Sequence, residues 1–175
     1  LPVWDEPRVI GCAENFPQHI ALPRGCLEAA LTLLRENGIR PDLHDERSAG
    51  AALQVQFLGA LRPDQQQAVD AMLAHDTGVL CAPTAFGKTV TAAAQIAARG
   101  VNTLILVHRA ELLRQWRERL QTFLAATDGG GGSGPNIGAI GGGKSKPTGK
   151  IDIALMQSLC RQGEVNALVE DYGHI

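Results

Sequence analysis

A loop rich in small residues carries the most specific chemical signal in this sequence. Residues 82–89 read Ala-Pro-Thr-Ala-Phe-Gly-Lys-Thr, which fits the phosphate-binding loop with alanine in place of its first glycine. In such a loop the backbone N–H groups curl around phosphate oxygens where a helix begins. Gly87 permits close approach of the backbone, Lys88 places a cation on the β- and γ-phosphates, and Thr89 offers a hydroxyl to Mg²⁺. The pattern predicts a site for a nucleoside triphosphate, with Lys88 and Thr89 as its catalytic residues and Thr89 as its metal ligand.

A strand and a helix must flank such a loop, and the sequence predicts both. Residues 78–81 form a short apolar run, and residues 88–99 form an alanine-rich helical pattern. Two more apolar runs, residues 102–108 and 151–156, are predicted strands, with an amphipathic helix at residues 111–124 between them. Strands that are apolar throughout indicate that both faces of the sheet are covered. We therefore expect an α/β fold with a parallel sheet and flanking helices.

The beginning of the chain differs from the rest in its sequence pattern. We expect a small α/β domain at residues 1–58, followed by a larger domain at residues 59–175. Within the first domain, residues 26–37 repeat leucine and alanine at helical spacing, and residues 53–57 alternate apolar and polar side chains as a half-buried strand does.

Two helices complete the pattern in the larger domain. Residues 63–73 begin with a proline, which suits the first turn of a helix, and residues 164–172 form a last helix that Gly173 ends. Residues 129–134 read Gly-Gly-Gly-Gly-Ser-Gly, which has no side chains to pack and behaves as flexible coil. This composition indicates a designed linker, with a natural glycine insertion as the alternative, and it predicts no function.

Composition limits the classes of function. The chain of 175 residues is 45% hydrophobic and carries a formal net charge of −2, so any contact with nucleic acid must be local. Its four cysteines show no Cys-x-x-Cys pair, which favours a reducing, intracellular location such as the bacterial cytoplasm over a zinc site or a disulfide framework. No apolar run approaches the ~20 residues that span a bilayer. The oligomeric state stays open.

Several segments then follow one another in the order of a known family. Leu-Arg-Pro-Asp-Gln stands at residues 61–65, ahead of the loop, and Leu-Val-His-Arg-Ala-Glu-Leu-Leu-Arg-Gln-Trp stands at residues 106–116. Ile-Gly-Gly-Gly at residues 140–143 and Ile-Ala-Leu-Met-Gln-Ser-Leu at residues 153–159 come next. In this set the sequence resembles superfamily 2 helicases and translocases of the XPB-like and restriction-enzyme-type branch. The resemblance covers residues 61–175 and implies a RecA-like lobe, the first of two in the family.

The resemblance implies residues that bind ATP. Gln65 would read the edge of the adenine, and Arg62 would support it. The phosphates and Mg²⁺ would be held by the loop residues, which are Pro83, Thr84, Ala85, Phe86, Gly87, Lys88 and Thr89. Phe86 is bulky where most such loops carry a small residue.

The resemblance also implies contacts to nucleic acid, and it favours DNA over RNA. His108 and Arg109 match a motif that touches the nucleic-acid backbone, and Gln157 and Ser158 match a second such motif. Leu155 stands where the family often has threonine, so a contact from that position stays open. In the same way, residues 1–58 loosely resemble a small domain that precedes the motor in XPB-like proteins and is proposed there to touch DNA.

The implied function is that of an ATP-dependent DNA helicase or translocase. In the family, the strand after Gly173 carries an Asp-Glu pair that holds Mg²⁺ and positions water, and a second lobe supplies arginine fingers. This sequence ends at Ile175, so we expect residues 1–175 to bind nucleotide and scarcely to hydrolyse it. Two alternatives from other classes stay open: a P-loop phosphotransferase acting on a small molecule, and a non-catalytic nucleic-acid-binding module.

Overall fold

A computed structural model describes residues 11–45, 47–127, 134–161 and 164–175. The chain divides into two compact units, Leu1–Asp45 and Glu46–Ile175. The division falls earlier than the predicted one between residues 58 and 59, because residues 47–58 pack within the larger unit. The predicted linker at residues 129–134 lies outside the described residues except for Gly134.

The smaller unit contains a two-stranded ribbon and one helix. Strands β1 (Glu14–Asn15) and β2 (Ile20–Ala21) pair antiparallel, and a 3₁₀ turn at Arg24–Cys26 leads into α1 (Leu27–Glu36). The predicted helix is confirmed, and Gly38 follows it in the left-handed conformation that ends many helices. None of the described residues of this unit is buried, so its apolar helix face is not covered by a core of its own.

The larger unit alternates strands and helices along the chain. Its elements, in order, are β3 (Val55–Phe57), α2 (Pro63–Leu73), α3 (Lys88–Arg99), β4 (Thr103–Val107), α4 (Ala110–Phe123), β5 (Leu124–Ala126), β6 (Ile137–Gly141), β7 (Lys144–Lys146), β8 (Ile151–Leu155), α5 (Met156–Leu159), β9 (Cys160–Arg161) and β10 (Glu164–Val165). A 3₁₀ turn at Ala167–Asp171 follows β10. Within the described residues, no helix is both long and apolar enough to cross a membrane.

The main sheet has four strands in the order β4-β8-β6-β7. Strands β4, β8 and β6 run parallel, with Ile153 of β8 beside both Ile105 and Ala139, whereas β7 is antiparallel to β6. The predicted α/β class with a parallel sheet is therefore confirmed. Because the three parallel strands point the same way, their carboxyl ends share one edge of the sheet, and we call this edge the carboxyl edge.

Alternate residues of the central strand β8 face two separate apolar clusters. Ile151 and Ile153 are fully buried with Ile96 of α3 and Leu120 of α4. On the other face, Ala154 packs with residues from β4, β6, α5 and the segment after the 3₁₀ turn, namely Leu104, Ile140, Leu159 and Tyr172. The apolar strand runs were thus correct indicators that both sheet faces are covered.

The β3 strand explains why the larger unit begins before residue 58. Val55 to Phe57 pair antiparallel with β5, so that Phe57 lies opposite Leu124. Leu53 is 8% exposed and belongs to the larger of the two clusters. The strand prediction at residues 53–57 is confirmed for Val55–Phe57. Its partner β5 lies about seventy residues away and begins at Leu124, the last residue of the helix predicted at residues 111–124.

Two predicted elements differ in the structure. Residues 78–81 do not form a strand, and Val79 is 93% exposed. A strand needs a neighbour for its backbone hydrogen bonds, and the described part of the chain places none beside this segment. The helix predicted at residues 164–172 is also wrong, because β10 pairs with β9 and Asn166 caps a 3₁₀ turn of only five residues.

Candidate nucleotide site and nucleic-acid edge

The phosphate loop enters α3 through a residue with a positive φ. Helix α3 begins at Lys88, and its N-cap, Gly87, has φ 90° and ψ 38°. The carbonyl of Gly87 accepts hydrogen bonds from the N–H groups of Val90 and Thr91 at 2.9 and 3.1 Å. The first N–H groups of any helix lack partners within the helix and carry its positive dipole end. The helix start at Lys88 is thus where the sequence predicted it, and phosphate binding at this amino end stays a prediction.

Gly87 meets a second constraint besides its φ. A Cβ built on Gly87 lies 2.5 Å from Nε2 of Gln65, closer than real Cβ contacts come. Two residues earlier, Ala85 also has a positive φ of 65°, which is uncommon for a residue with a side chain. The loop is thus tightly folded against the helix that precedes it.

A pair of side chains from the start of α2 holds this loop. Gln65 is 4% exposed, and its Nε2 donates to the backbone carbonyl of Phe86 at 2.7 Å. An amino group of Arg62 donates to the same carbonyl at 3.0 Å, and Oε1 of Gln65 accepts from the N–H of Arg62 at 3.0 Å. The structure therefore brings the segment predicted to contact adenine directly against the phosphate loop.

The guanidinium of Arg62 contacts three groups on two residues, namely the carbonyl and the ring of Phe86 and the carboxylate of Asp64. It lies 5.8 Å from the centre of the half-buried Phe86 ring, a cation–π distance. It also forms an ion pair of 3.1 Å with Asp64, and that hydrogen-bonded partner holds the pKa of the Asp64 carboxyl below its usual value. Phe86 is therefore held from both its carbonyl and its ring, which gives the bulky loop residue a defined place.

Lys88 reaches across the loop to its other end. Its Nζ donates to the carbonyl of Pro83 at 2.9 Å, although the side chain is exposed. A phosphate oxygen is a stronger acceptor for an ammonium than a neutral carbonyl is. Thr84 and Ala85 form the turn between these two residues.

Thr89 is half-buried in the first turn of α3, which suits one ligand to Mg²⁺. Mg²⁺ is usually held by one or two protein groups together with substrate phosphates and waters. Within the described ranges, no group of three or more His, Cys, Asp or Glu side chains is placed to hold a metal ion.

Two of the predicted nucleic-acid segments meet at the carboxyl edge. His108 follows β4 and Gln157 follows β8, and Nε2 of Gln157 donates to the carbonyl of His108 at 3.2 Å. A third segment joins them, because a Cβ on Gly141 at the end of β6 would lie 2.7 Å from Oγ of Ser158 and 2.9 Å from the Leu155 side chain. The three motifs are therefore side by side, which their separation in sequence did not require.

The side chains at this edge are open to solvent. His108, Arg109, Gln157 and Ser158 are all exposed. Arg109 is the N-cap of α4, with an extended backbone that precedes the helix. Polar and basic groups on a surface suit contacts to a phosphate backbone.

Sequence reasoning missed a buried polar cluster at the opposite edge of the sheet. Asp152 in β8 is fully buried, and its carboxylate accepts from the N–H groups of Thr148 and Gly149 and from the hydroxyl of Tyr172. Burial and this carboxylate both raise the pKa of the Tyr172 phenol, which therefore stays protonated as a donor. The available signal was an aspartate inside the otherwise apolar run at residues 151–155.

The fold and these two regions define a RecA-like P-loop lobe of the superfamily 2 helicase class. Residues 58–173 match the family described as "Type III restriction enzyme, res subunit", and the chain belongs to that family. The match begins just ahead of α2 and covers the phosphate loop and every strand of the main sheet.

Part of the chain also matches relatives with named activities. The chain is 37% identical over 106 residues to the Rad25 relative from Halobacterium salinarum, which is named for DNA 3'-5' helicase activity; the match covers 59% of this chain and 17% of that protein. It is 39% identical over 74 residues to the DNA 3'-5' translocase XPB2 of Sulfurisphaera tokodaii, covering 41% and 17%. It is 42% identical over 69 residues to the DNA 3'-5' helicase XPB of Kineococcus radiotolerans, covering 39% and 12%. The matched segments thus span less than a fifth of these relatives.

Proposed function

We propose that this chain supplies the ATP-binding lobe of a DNA helicase or translocase. The observation that carries the proposal is the contact between Gln65 and the loop carbonyl of Phe86, which joins an adenine-reading position to a phosphate-binding helix end. A chance Gly-Lys-Thr sequence at a helix start does not need such a buried partner from another helix.

The roles of the residues follow from their places. The N–H groups at the start of α3 receive the phosphates, with Gly87 allowing the backbone to approach. Lys88 exchanges the Pro83 carbonyl for β- and γ-phosphate oxygens, and Thr89 gives its hydroxyl to Mg²⁺. When bound, Mg²⁺ neutralises charge on the phosphates. Gln65 reads the edge of the adenine and also holds the loop through the Phe86 carbonyl, and Arg62 supports Gln65.

The carboxyl edge is the proposed surface for DNA. His108 and Arg109 contact the backbone phosphates, with Gln157 and Ser158 beside them. The hydrogen bond between Gln157 and His108 connects the two motifs, so a strand of DNA that touches one is held near the other. Phosphate contacts fix position and orientation without reading sequence, as a translocating motor requires.

Stimulation by DNA separates this proposal from the phosphotransferase alternative. The full-length protein is assayed for ATP hydrolysis with and without single- and double-stranded DNA, beside Lys88→Ala and a control, Arg119→Ala, at an exposed position on α4. We expect DNA to raise the rate severalfold in the wild type and the control, and Lys88→Ala to remove it. Hydrolysis indifferent to DNA but dependent on a small-molecule acceptor contradicts the helicase proposal.

The non-catalytic alternative makes a different prediction. A module with a vestigial nucleotide site binds DNA equally well with and without Mg²⁺-ATP, and Lys88→Ala leaves both measurements unchanged. Under our proposal, Lys88→Ala abolishes any effect of nucleotide on DNA affinity.

A further inference from the structure

We infer that Asn102 is a positioning residue that fixes where the segment after Tyr172 joins β4. Asn102 precedes β4 and is 4% exposed. Its Oδ1 accepts from the N–H groups of Ala51 and Gly173 at 2.9 and 3.0 Å. Its Nδ2 donates to the carbonyls of Asp171 and Gly149 at 2.9 and 3.2 Å. One side-chain amide therefore ties three separate backbone segments together.

The backbone of the same residue starts a strand pairing. The carbonyl of Asn102 accepts from the N–H of His174 at 3.2 Å, and the carbonyl of His174 accepts from the N–H of Leu104 at 2.9 Å. Thr103 and His174 form a parallel bridge. The segment that begins at Gly173 thus lies beside β4, on the side of that strand opposite β8, and runs toward the carboxyl edge.

Little space is left for any other arrangement at this point. A Cβ on Gly50 would collide with Oδ1 of Asn102 and with the backbone of Gly173. A Cβ on Gly173 would in turn lie 2.5 Å from the carbonyl oxygen of Ala49. The backbones of these segments lie close to one another, and the buried Asn102 side chain supplies hydrogen-bond partners to their polar groups.

A second buried group holds the same segment. The hydroxyl of Tyr172 donates to Asp152, whose carboxylate also accepts from Gly149 at 2.8 Å. Asn102 and Asp152 therefore bind the turn at Gly149 and the segment around Tyr172 together. An apolar residue at position 102 would remove the acceptor of two backbone N–H groups and the donor to two carbonyls, so the amide specifies one register rather than merely filling space.

The register has a functional consequence that rests on the proposed function. A slip by one residue moves a strand by about 3.3 Å and turns each side chain to the other face. The register set at Asn102 therefore decides on which face of the sheet the side chains of His174 and Ile175 lie, and how far this segment reaches toward the carboxyl edge. In the proposed ATPase, DNA bound at the carboxyl edge stimulates hydrolysis. A slip of the segment beside β4 should therefore lower the DNA-stimulated rate and leave the nucleotide site at α2 and α3 intact, so Asn102 acts on the reaction through the segment it positions.

Hydrogen exchange of residues 1–175 tests the structural part without any assay of activity. Wild type is compared with Asn102→Ala, Tyr172→Phe and the matched control Asn136→Ala, which changes an exposed asparagine. We expect Asn102→Ala to speed exchange of the Gly173, His174 and Leu104 amides about tenfold or more, with amides in α4 and β8 unchanged. Tyr172→Phe should give a smaller change at the same amides. An equal acceleration throughout the sheet, or none at Gly173 and His174, overturns the inference.

Steady-state kinetics of the full-length protein test the consequence. For Asn102→Ala we expect kcat for DNA-stimulated ATP hydrolysis to fall about tenfold per folded molecule, while the Kd for Mg²⁺-ADP stays within about twofold. Loss of nucleotide binding together with kcat, or an unchanged kcat, contradicts a positioning role. If Lys88→Ala also leaves nucleotide binding intact, the proposed function fails, whereas the exchange result still decides whether Asn102 sets the register.

Discussion

The side-chain amide of Gln65 donates a 2.7 Å hydrogen bond to the backbone carbonyl of Phe86, joining α2 to the phosphate loop. The oxygen of the same side-chain amide accepts from the N–H of Arg62, so both polar atoms of the buried Gln65 side chain are hydrogen-bonded. The position and conformation of the loop therefore depend on a residue more than twenty positions away.

Replacing Gln65 tests this dependence. Gln65→Ala removes both hydrogen bonds, and we expect a loss of about 1–3 kcal/mol in the free energy of unfolding. Gln65→Glu keeps the acceptor for Arg62 but places a carboxylate against the Phe86 carbonyl, which repels it. We therefore expect Gln65→Glu to weaken Mg²⁺-ADP binding at least as much as Gln65→Ala does. Urea unfolding and nucleotide titration measure both effects. Gln66→Ala, an exposed neighbour on α2, is the control. Equal behaviour of the Gln65 and Gln66 variants would sink this prediction.

Gly87 offers a sharper test because a second glycine, Gly142, also has a positive φ. Gly87 and Gly142 both have positive φ, 90° and 65°, but a Cβ meets Gln65 only at Gly87 and nothing within 4 Å at Gly142. We expect Gly142→Ala to cost about 1–2 kcal/mol of stability through backbone strain alone. Gly87→Ala should cost more and also abolish nucleotide binding. Thermal unfolding and ADP titration compare the two, and equal costs with binding retained would contradict the close packing.

The proposed DNA surface makes a prediction about salt. Arg109 is exposed at the start of α4, beside His108. If it contacts one phosphate, Arg109→Ala weakens DNA binding of all sequences alike and lowers the slope of log K against log salt by about one. Fluorescence anisotropy at several salt concentrations measures this slope. Arg119→Ala on the same helix should leave it unchanged, and a slope unaffected by Arg109→Ala would remove Arg109 from the surface.

His174 gives the fold a dependence on pH. Burial holds the pKa of its imidazole below the usual 6.5, and the positive charge of Arg99 lowers that pKa further. As pH falls below about 6.5, the unfolded chain takes up a proton before the folded chain does, so stability falls in that window and is full above it. Thermal unfolding at pH 7.5 and 5.5 should show a smaller drop in Tm for His174→Gln than for wild type. An identical drop would show that His174 does not carry the effect.

Helices were more predictable than strand partners in this chain. Helices α2 and α3 begin and end where periodicity, Pro63 and Gly100 indicated, because these signals are local. The pairing of β3 with β5 joins residues about seventy positions apart, and no local pattern encodes it. The segment at residues 78–81 was apolar enough for a strand, yet Val79 is exposed, since apolar composition does not supply a neighbouring strand.

The candidate site was predictable to a similar extent. The motif placed Gly87, Lys88 and Thr89 at a helix start, as found. The closeness of Gln157 to His108 depends on β4 and β8 being adjacent in the sheet, which spacing along the chain does not specify. Asn102 and Asp152 were missed because their partners are backbone groups of distant segments, which have no sequence signature.

Calorimetric titration of residues 1–175 with Mg²⁺-ADP, beside Lys88→Ala, tests the central claim most directly. Binding is the suitable readout here because it needs only the loop and α2. Loss of one charged contact should weaken affinity by about 10- to 100-fold, and the exposed control Lys146→Ala should bind as wild type does. A folded wild type that does not bind, or a Lys88→Ala variant that binds equally well, would contradict a working phosphate loop.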